Sequence, residues 1–544
     1  MNQQQPWIIP EPVQVTFAGR WLHFDGVQDA PEFLRREMHV PHGRYVVHRD
    51  TRAGTGVAVR FGHITIWGDE TACWATLCQL MLQRNGHIPE ITVTEQPRFA
   101  FRGFHLDIAR GGVPNMPYFK KLLRLLFLCK YNALGIYFED LFPWERYPQI
   151  GAGRGRLTRD ELRELIAYGA NLGIEVFPSL ELCGHMERIL SLPEFSRFSE
   201  WTTAEGCLNA HDPAARRFAC ELLEEAVDFF RDARHIHIGG DECRALGRGA
   251  SLDDTRKFRG PEIFEEHYKQ LTGIVRRAGK IPLVWGDMMT GMYLDEKRRE
   301  LWKNVLRSRV WNDVVVVNWD YRSTEEDVYR EKIRLFKGRR QYAAPGMSNW
   351  GSFYPEYSVA LANNRLFLKA AAEAGVDGFL LTSWGDDGAE CLYSLAEPLL
   401  VAVADLAQGH TGWERKWAGL ARERPEVTEF RIQLGHPTVT RDIKNLLIND
   451  VPLNSAGVQH CRMLLERAQR LNLPPDLRWV VRYIGAGMKR TDNRLNISDI
   501  TQLLKTYREL WCAERKSENL DRVLRKFSLA PFIPAEMKEE PHRG

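Results

Sequence analysis

Asp241 and Glu242 stand side by side at the end of the segment HIHIGGDEC (235–243), where an apolar run meets two glycines and then two carboxylates. In a straight strand neighbouring side chains point to opposite faces. Glycine permits the bend that would bring both carboxylates to one pocket. Two close carboxylates resist double ionisation, so one keeps its proton while the other is an anion. Glycoside cleavage needs that division between an acid and an anion. From these residues alone, a second reading stands equally: Asp241 caps the next helix and Glu242 is solvated.

The elements that would carry this pair repeat along the chain. Apolar strand candidates lie at 103–110, 133–140, 174–181, 235–242, 281–287, 314–321, 341–346 and 378–386. Segments with helical spacing separate them, at 117–132, 158–173, 213–232, 260–279 and 357–375. Eight strand–helix units in about 310 residues predict a closed (β/α)8 TIM barrel, whose reactive groups stand at the C-terminal strand ends. An open doubly wound sheet would place a Gly-rich phosphate loop after its first strand. Here that strand runs into ARGGVPN, and GAGRGR (151–156) reads as a mobile surface loop.

Those strand ends hold charged or aromatic residues at nearly every position: Asp107 and Arg110, Glu139 and Asp140, Glu181 and His185, Asp241 and Glu242. The later ends offer Trp285 and Asp287, Trp319 and Tyr321, and Trp384 and Asp386. Apolar strand bodies with polar tips are expected of a barrel with a working face rather than a purely structural one.

Before the barrel, residues 1–98 read as a small α/β domain, with a hairpin over 55–68 and a helix over 69–86 that Asp69 or Thr71 starts. The barrel is expected over 99–415. A helical C-terminal domain over 416–544 follows, with helices at 456–472, 475–487 and 497–527 and a frayed end at 534–544. The 544 residues are 44% hydrophobic and 27% charged, with a formal net charge of +3, a balance that gives no electrostatic footprint for nucleic acid. No apolar stretch is long enough for a membrane span, and the N-terminus lacks the basic and apolar regions of a signal peptide. The ten cysteines form no CxxC pair or zinc spacing, so free thiols and a cytoplasmic location are expected. Sixteen tryptophans are many, and indole faces suit both cores and sugars.

HIHIGGDE resembles the H-x-GGDE signature of glycoside hydrolase family 20, the β-N-acetylhexosaminidases. RGFHLDIARG at the first barrel strand, FPSLELCGH at the third and the small domain in front follow the family's order, so the resemblance covers about residues 1–415. It implies that Glu242 is the general acid/base, and that Asp241 orients the sugar's 2-acetamido group and stabilises the charge that group acquires. The acetamido oxygen would itself attack the anomeric carbon and form an oxazolinium ion. Arg110 would bind the O3 and O4 hydroxyls, although a salt bridge to a barrel carboxylate is the alternative. His185 and Asp140 would support the acid/base, with Glu139 an immediate competitor for Asp140. Trp285, Trp319, Trp384 and Trp350 would wall the sugar pocket. Tyr321 would hold the acetamido oxygen, with Tyr342, Tyr354 and Tyr357 as competitors. Asp386 stands where many members carry Glu, which leaves the preference between GlcNAc and GalNAc open.

The resulting expectation is a retaining exo-β-N-acetylhexosaminidase acting on a terminal sugar of an oligosaccharide or glycoconjugate, with no cofactor and no metal, and with no nucleic-acid or membrane partner. A homodimer through the helical C-terminal region is compatible with it. Three alternatives remain: an O-GlcNAcase-like enzyme, which would use two neighbouring aspartates; a double-displacement glycosidase with carboxylates on different strands; and a non-catalytic N-acetylated-sugar-binding protein on an inherited barrel. A metal-dependent hydrolase has only Cys183 and His185 as candidate ligands.

Overall fold

A computed structural model describes residues 5–201, 206–291 and 296–527. The frayed end expected at 534–544 lies outside the described residues. The first unit is a five-stranded sheet of β1 (Gln14–His23), β2 (Val46–Asp50), β3 (Thr55–Arg60), β4 (His63–Trp67) and β5 (His87–Glu95), in the order β1-β5-β3-β4-β2. The hairpin expected at 55–68 is β3–β4, paired antiparallel from Gly56–Trp67 to Arg60–His63. The adjoining helix Glu70–Gln83 is capped by Asp69, whose side chain accepts from the Ala72 N–H. Gln79 of that helix donates to the carbonyls of Ile9 and Leu128, which ties the small sheet unit to the barrel.

The barrel strands are β6 (Phe101–Asp107), β7 (Ala133–Tyr137), β8 (Glu175–Ser179), β9 (His235–His237), β10 (Ile281–Trp285), β11 (Val315–Trp319), β12 (Gln341–Ala344) and β13 (Gly378–Ser383). They follow one another around a closed parallel barrel, and β13 pairs with β6 to complete it. β7, β9, β12 and β13 are buried at every residue. That is why β7, ALGIY, shows an unbroken apolar run instead of alternation. Local signals start the surrounding helices. Asn115 caps Met116–Leu128, and Thr158 with Glu161 forms a reciprocal capping box on Arg159–Asn171.

The barrel interior is filled. At its lower end Phe101 and Tyr342 stack with centroids 4.3 Å apart. Higher up, His105 lies against Tyr137, Trp285 and Trp384. This upper layer of rings is the floor on which the strand-end groups stand.

Beyond β13 the chain is helical, including Tyr393–Ala407, Trp413–Ala421, Pro425–Leu434, Ile443–Asn449, Ser455–Ala468 and Pro475–Thr491. The single helix expected over 497–527 is two, Ile497–Glu514 and Leu520–Phe527. Arg515 is extended between them, and its guanidinium leaves the helix direction to reach the carbonyls of Ala389 and Cys391. A tertiary contact therefore breaks what the local pattern continues. All ten cysteines are free thiols. Among the described residues, no helix is long and apolar enough to cross a membrane.

Candidate active site

The strand β9 stops at His237, well before the carboxylates. Gly239 and Gly240 then take φ of +67° and +107°, and Glu242 itself has φ +48°. These left-handed turns, rather than strand alternation, bring Asp241 and Glu242 to one cavity. A Cβ on Gly239 would lie 2.2 Å from Glu181 Oε2, so both the conformation and the space demand glycine.

The cavity has a volume of about 480 Å³. Arg110, His185, Asp241, Glu242, Trp285, Trp319, Tyr321, Trp350, Trp384 and Asp386 all line it, together with Asp320, Arg322 and Ser323. Ten of the eleven residues singled out in the sequence thus meet in one place.

Asp140 is the exception. Its buried carboxylate is bound by Arg154, which also donates to the Ala109 carbonyl. Glu139 turns toward Arg110 instead: with φ +45°, its Oε1 lies 3.1 Å from Arg110 Nη2. The loop expected to be mobile, 151–156, is what supplies Arg154, and Asn519 of the C-terminal region donates to that residue's carbonyl.

Arg110 makes the salt bridge expected as its alternative role and also lines the cavity. Its guanidinium bridges Asp107 Oδ2 at 3.0 Å and Glu139, lies 4.9 Å over the Tyr137 ring, and still faces the cavity. Burial alone would weaken its charge, but the two carboxylates hold it firmly protonated. Burial pushes Glu139 up to about 7. Asp107 also accepts from the Gly385 N–H at 2.8 Å, which links the β6 end to the loop carrying Asp386.

His185, at φ +52°, places Nε2 3.3 Å from Asp241 Oδ2 and 3.6 Å from Glu242 Oε2. Burial favours neutral imidazole, yet the Asp241 carboxylate outweighs it and raises His185 to about 10. Burial likewise opposes the Asp241 charge, and His185 overcomes it, holding Asp241 below the usual carboxylate range. Asp241 is therefore held in its charged form. Burial and the Asp241 charge also push Glu181 well above its ordinary value and Asp287 up to about 7.

Asp287, noted at its strand end but given no role from sequence, organises the pair's other half. Its Oδ2 accepts from the Glu242 N–H at 3.0 Å and its Oδ1 from the Trp319 indole at 3.2 Å. Glu242 is half-buried, with Oε1 2.6 Å from Arg244 Nη2. Tyr321 stacks on Trp319 with centroids 5.2 Å apart and accepts from the Trp384 indole N–H at 2.9 Å, so it joins two of the aromatic walls. Tyr354 and Tyr357, its competitors, are fully buried and donate to the carbonyls of Arg431 and Leu395. Tyr342 belongs to the lower barrel layer. Arg322 and Ser323 were not anticipated; both donate backbone N–H groups to Asp320, so an Asx-type turn after β11 sets them on the rim. Among the described residues no group of three or more His, Cys, Asp or Glu is arranged to hold a metal ion.

Residues 99–328 match the family model described as glycosyl hydrolase family 20, catalytic domain. These residues are similar to a family 20 catalytic domain. The matched stretch contains Arg110, His185, Asp241, Glu242, Trp285, Trp319 and Tyr321, whereas Trp350, Trp384 and Asp386 lie beyond it. The chain is also similar to curated proteins. Human hexosaminidase D is 26% identical over 302 residues, covering 53% of this chain and 60% of that protein. A β-hexosaminidase of Vibrio furnissii is 30% identical over 297 residues, covering 45% and 47%. The chain thus spans less than two thirds of the length of either relative. In fold, it resembles the chitobiase of Flavobacterium johnsoniae (15% identity, TM-score 0.55, 96% of this chain and 98% of that one). It also resembles an exo-β-N-acetylglucosaminidase of Vibrio harveyi solved with N-acetylglucosamine (17% identity, TM-score 0.58, 76% of each chain).

Proposed function

We propose that this chain is a retaining exo-β-N-acetylhexosaminidase that removes a terminal β-linked N-acetylhexosamine by substrate-assisted catalysis. The observation that carries the reading is the buried Asp241 anion, balanced by His185 and placed next to Glu242 on an indole-walled cavity. A carboxylate held ionised in a water-poor pocket is suited to accept the acetamido N–H and to stabilise positive charge developing there. The aromatic walls suit the apolar faces of a pyranose ring.

In this reading the acetamido oxygen attacks C1 and the glycosidic C1–O bond breaks. Glu242 passes its proton to the departing oxygen. The resulting oxazolinium carries its positive charge beside Asp241. Glu242, now ionised, takes a proton from water, whose oxygen attacks C1; the ring opens and the acetamide is restored with the β configuration retained. Holding nucleophile and electrophile in one molecule contributes the advantage of enforced proximity. Arg110, fixed by two carboxylates, presents its remaining N–H groups to sugar hydroxyls. Glu139, rather than Asp140, is the carboxylate that supports this side of the site.

The test is a panel of aryl β-glycosides of GlcNAc, GalNAc, glucose and galactose, with and without a thiazoline that mimics the oxazoline. Turnover confined to the N-acetylated substrates and blocked by the thiazoline is expected. Equal turnover of the glucoside would replace the mechanism with one using an enzyme nucleophile.

A further inference from the structure

The loops after β12 and β13 bring Trp350 and Asp386 to the cavity from a side of the barrel that the proposed chemistry does not use; β13 lies across the closed barrel from β9. One C-terminal side chain binds both loops. Lys444, on the helix Ile443–Asn449, places Nζ 2.9 Å from the Gly351 carbonyl, 3.0 Å from Asp387 Oδ2 and 2.7 Å from Glu390 Oε2. Gly351 follows Trp350, and Asp387 follows Asp386. The lysine is 12% exposed and Glu390 is fully buried, while Asp387 is the exposed arm of the cluster.

The loop it holds is not at rest by its own preference. Asp387 and Ala389 have φ of +63° and +58°, a left-handed backbone that L-residues maintain only where surrounding contacts impose it. The Trp350 loop is anchored on the same domain, with Phe353 against Tyr483 at 4.1 Å between ring centroids. Lys444 thus lies where the two anchored loops meet: its ammonium donates to the Gly351 carbonyl and to Asp387 and pairs ionically with Glu390.

We propose that Lys444 is a positioning residue for the sugar pocket: it straps the Trp350 loop to the Asp386 loop, and so sets both affinity for the sugar and the choice between C4 epimers. The proposal rests on the cavity being an N-acetylhexosamine site. A misplaced wall of this kind costs about ten- to a hundredfold in productive binding when the reacting groups themselves are untouched.

The test compares wild type, Lys444→Met and Lys444→Arg by calorimetric titration with N-acetylglucosamine and N-acetylgalactosamine, and by KM and kcat on the corresponding aryl glycosides. Lys444→Met is expected to weaken sugar binding and raise KM by at least about tenfold and to move the GlcNAc/GalNAc ratio toward one, with kcat held within about threefold. Lys444→Arg restores most of the affinity and the ratio. Should the Met variant not fold, Asp387→Ala, which removes the exposed arm of the cluster and leaves the buried Glu390 in place, is expected to show the same changes in smaller measure. Unchanged affinities and ratio in a folded variant, or a change that Arg does not reverse, would overturn the strap. Failure of the wild type itself to bind either sugar would instead remove the pocket reading on which it rests.

Discussion

Asp241 and His185 form the electrostatic centre of the site, and their pairing has a direct consequence for stability. His185 is raised to about 10 from an ordinary 6.5, so its contribution is fully present below pH 6.5 and is lost as pH rises toward 10. Asp241 is depressed, so its share is present above its ordinary value of 3.8 and is lost as pH falls through its lower folded value. His185→Gln leaves a buried carboxylate without its counter-charge, a loss of about 3–5 kcal/mol near neutrality. Denaturant melts at pH 6.5 and pH 10 should show the gap to wild type closing at the higher pH; a constant gap would refute the ion pair. Glu242 plays no such structural part, being half-buried and bonded to the exposed Arg244. Glu242→Gln is expected to lower kcat by about 10²–10⁴ while leaving the melting temperature unchanged. Retained activity in that variant would remove Glu242 from the proton-transfer role.

The strand-to-loop junctions are the elements that turn a barrel into a site. After β9, two glycines and Glu242 with positive φ replace the strand, and the Glu181 carboxyl occupies the space a Cβ on Gly239 would need. Gly239→Ala combines that clash with left-handed strain, so a loss of several kcal/mol and poor soluble yield are expected. Gly153→Ala is the matched control: its φ is +73° but nothing lies within 4 Å of the added carbon, so only about 1–2 kcal/mol should be lost. Equal melting temperatures for the two variants would show that the packing against Glu181 is unimportant. After β7, the same kind of turn selects Glu139 over Asp140. Two adjacent carboxylates at a strand end are indistinguishable by type. Which one meets Arg110 is decided by φ at Glu139 and by Arg154 arriving from 14 residues further along to bind its neighbour.

At the scale of the whole molecule, the C-terminal helices act on the barrel's working face rather than beside it. Tyr507 donates to the Glu390 carbonyl, Arg515 to Ala389 and Cys391, and Lys516 pairs with Glu161. These contacts reach the loops after β13 and the helix that follows β7. A chain ending at residue 434 would uncover Phe353 and leave Glu390 buried without Lys444 and Lys526. It is expected to be aggregation-prone and to bind a hydrophobic dye. A monodisperse, fully active truncated protein would show that these helices are dispensable.

The chain's own pattern determined the barrel, its eight strands and the cluster of acidic and aromatic tips, because buried parallel strands are predominantly apolar and the reactive groups of such a barrel stand at its strand ends. Asp69 announced its helix because capping is local hydrogen bonding. The strands β1, β2 and β5 were not legible: β1 and β2 bury almost none of their residues, and β5 carries a proline within it. The break at Arg515, the anchoring of 151–156 and the turn of Glu139 toward Arg110 were not legible either. Each depends on a partner distant in sequence, at Ala389 and Cys391, at Asp140 and at Arg110 respectively. Local composition decides which groups are available. Which of them is ionised, and which faces the cavity, is decided by burial and by charges that only the closed barrel brings within a few ångströms.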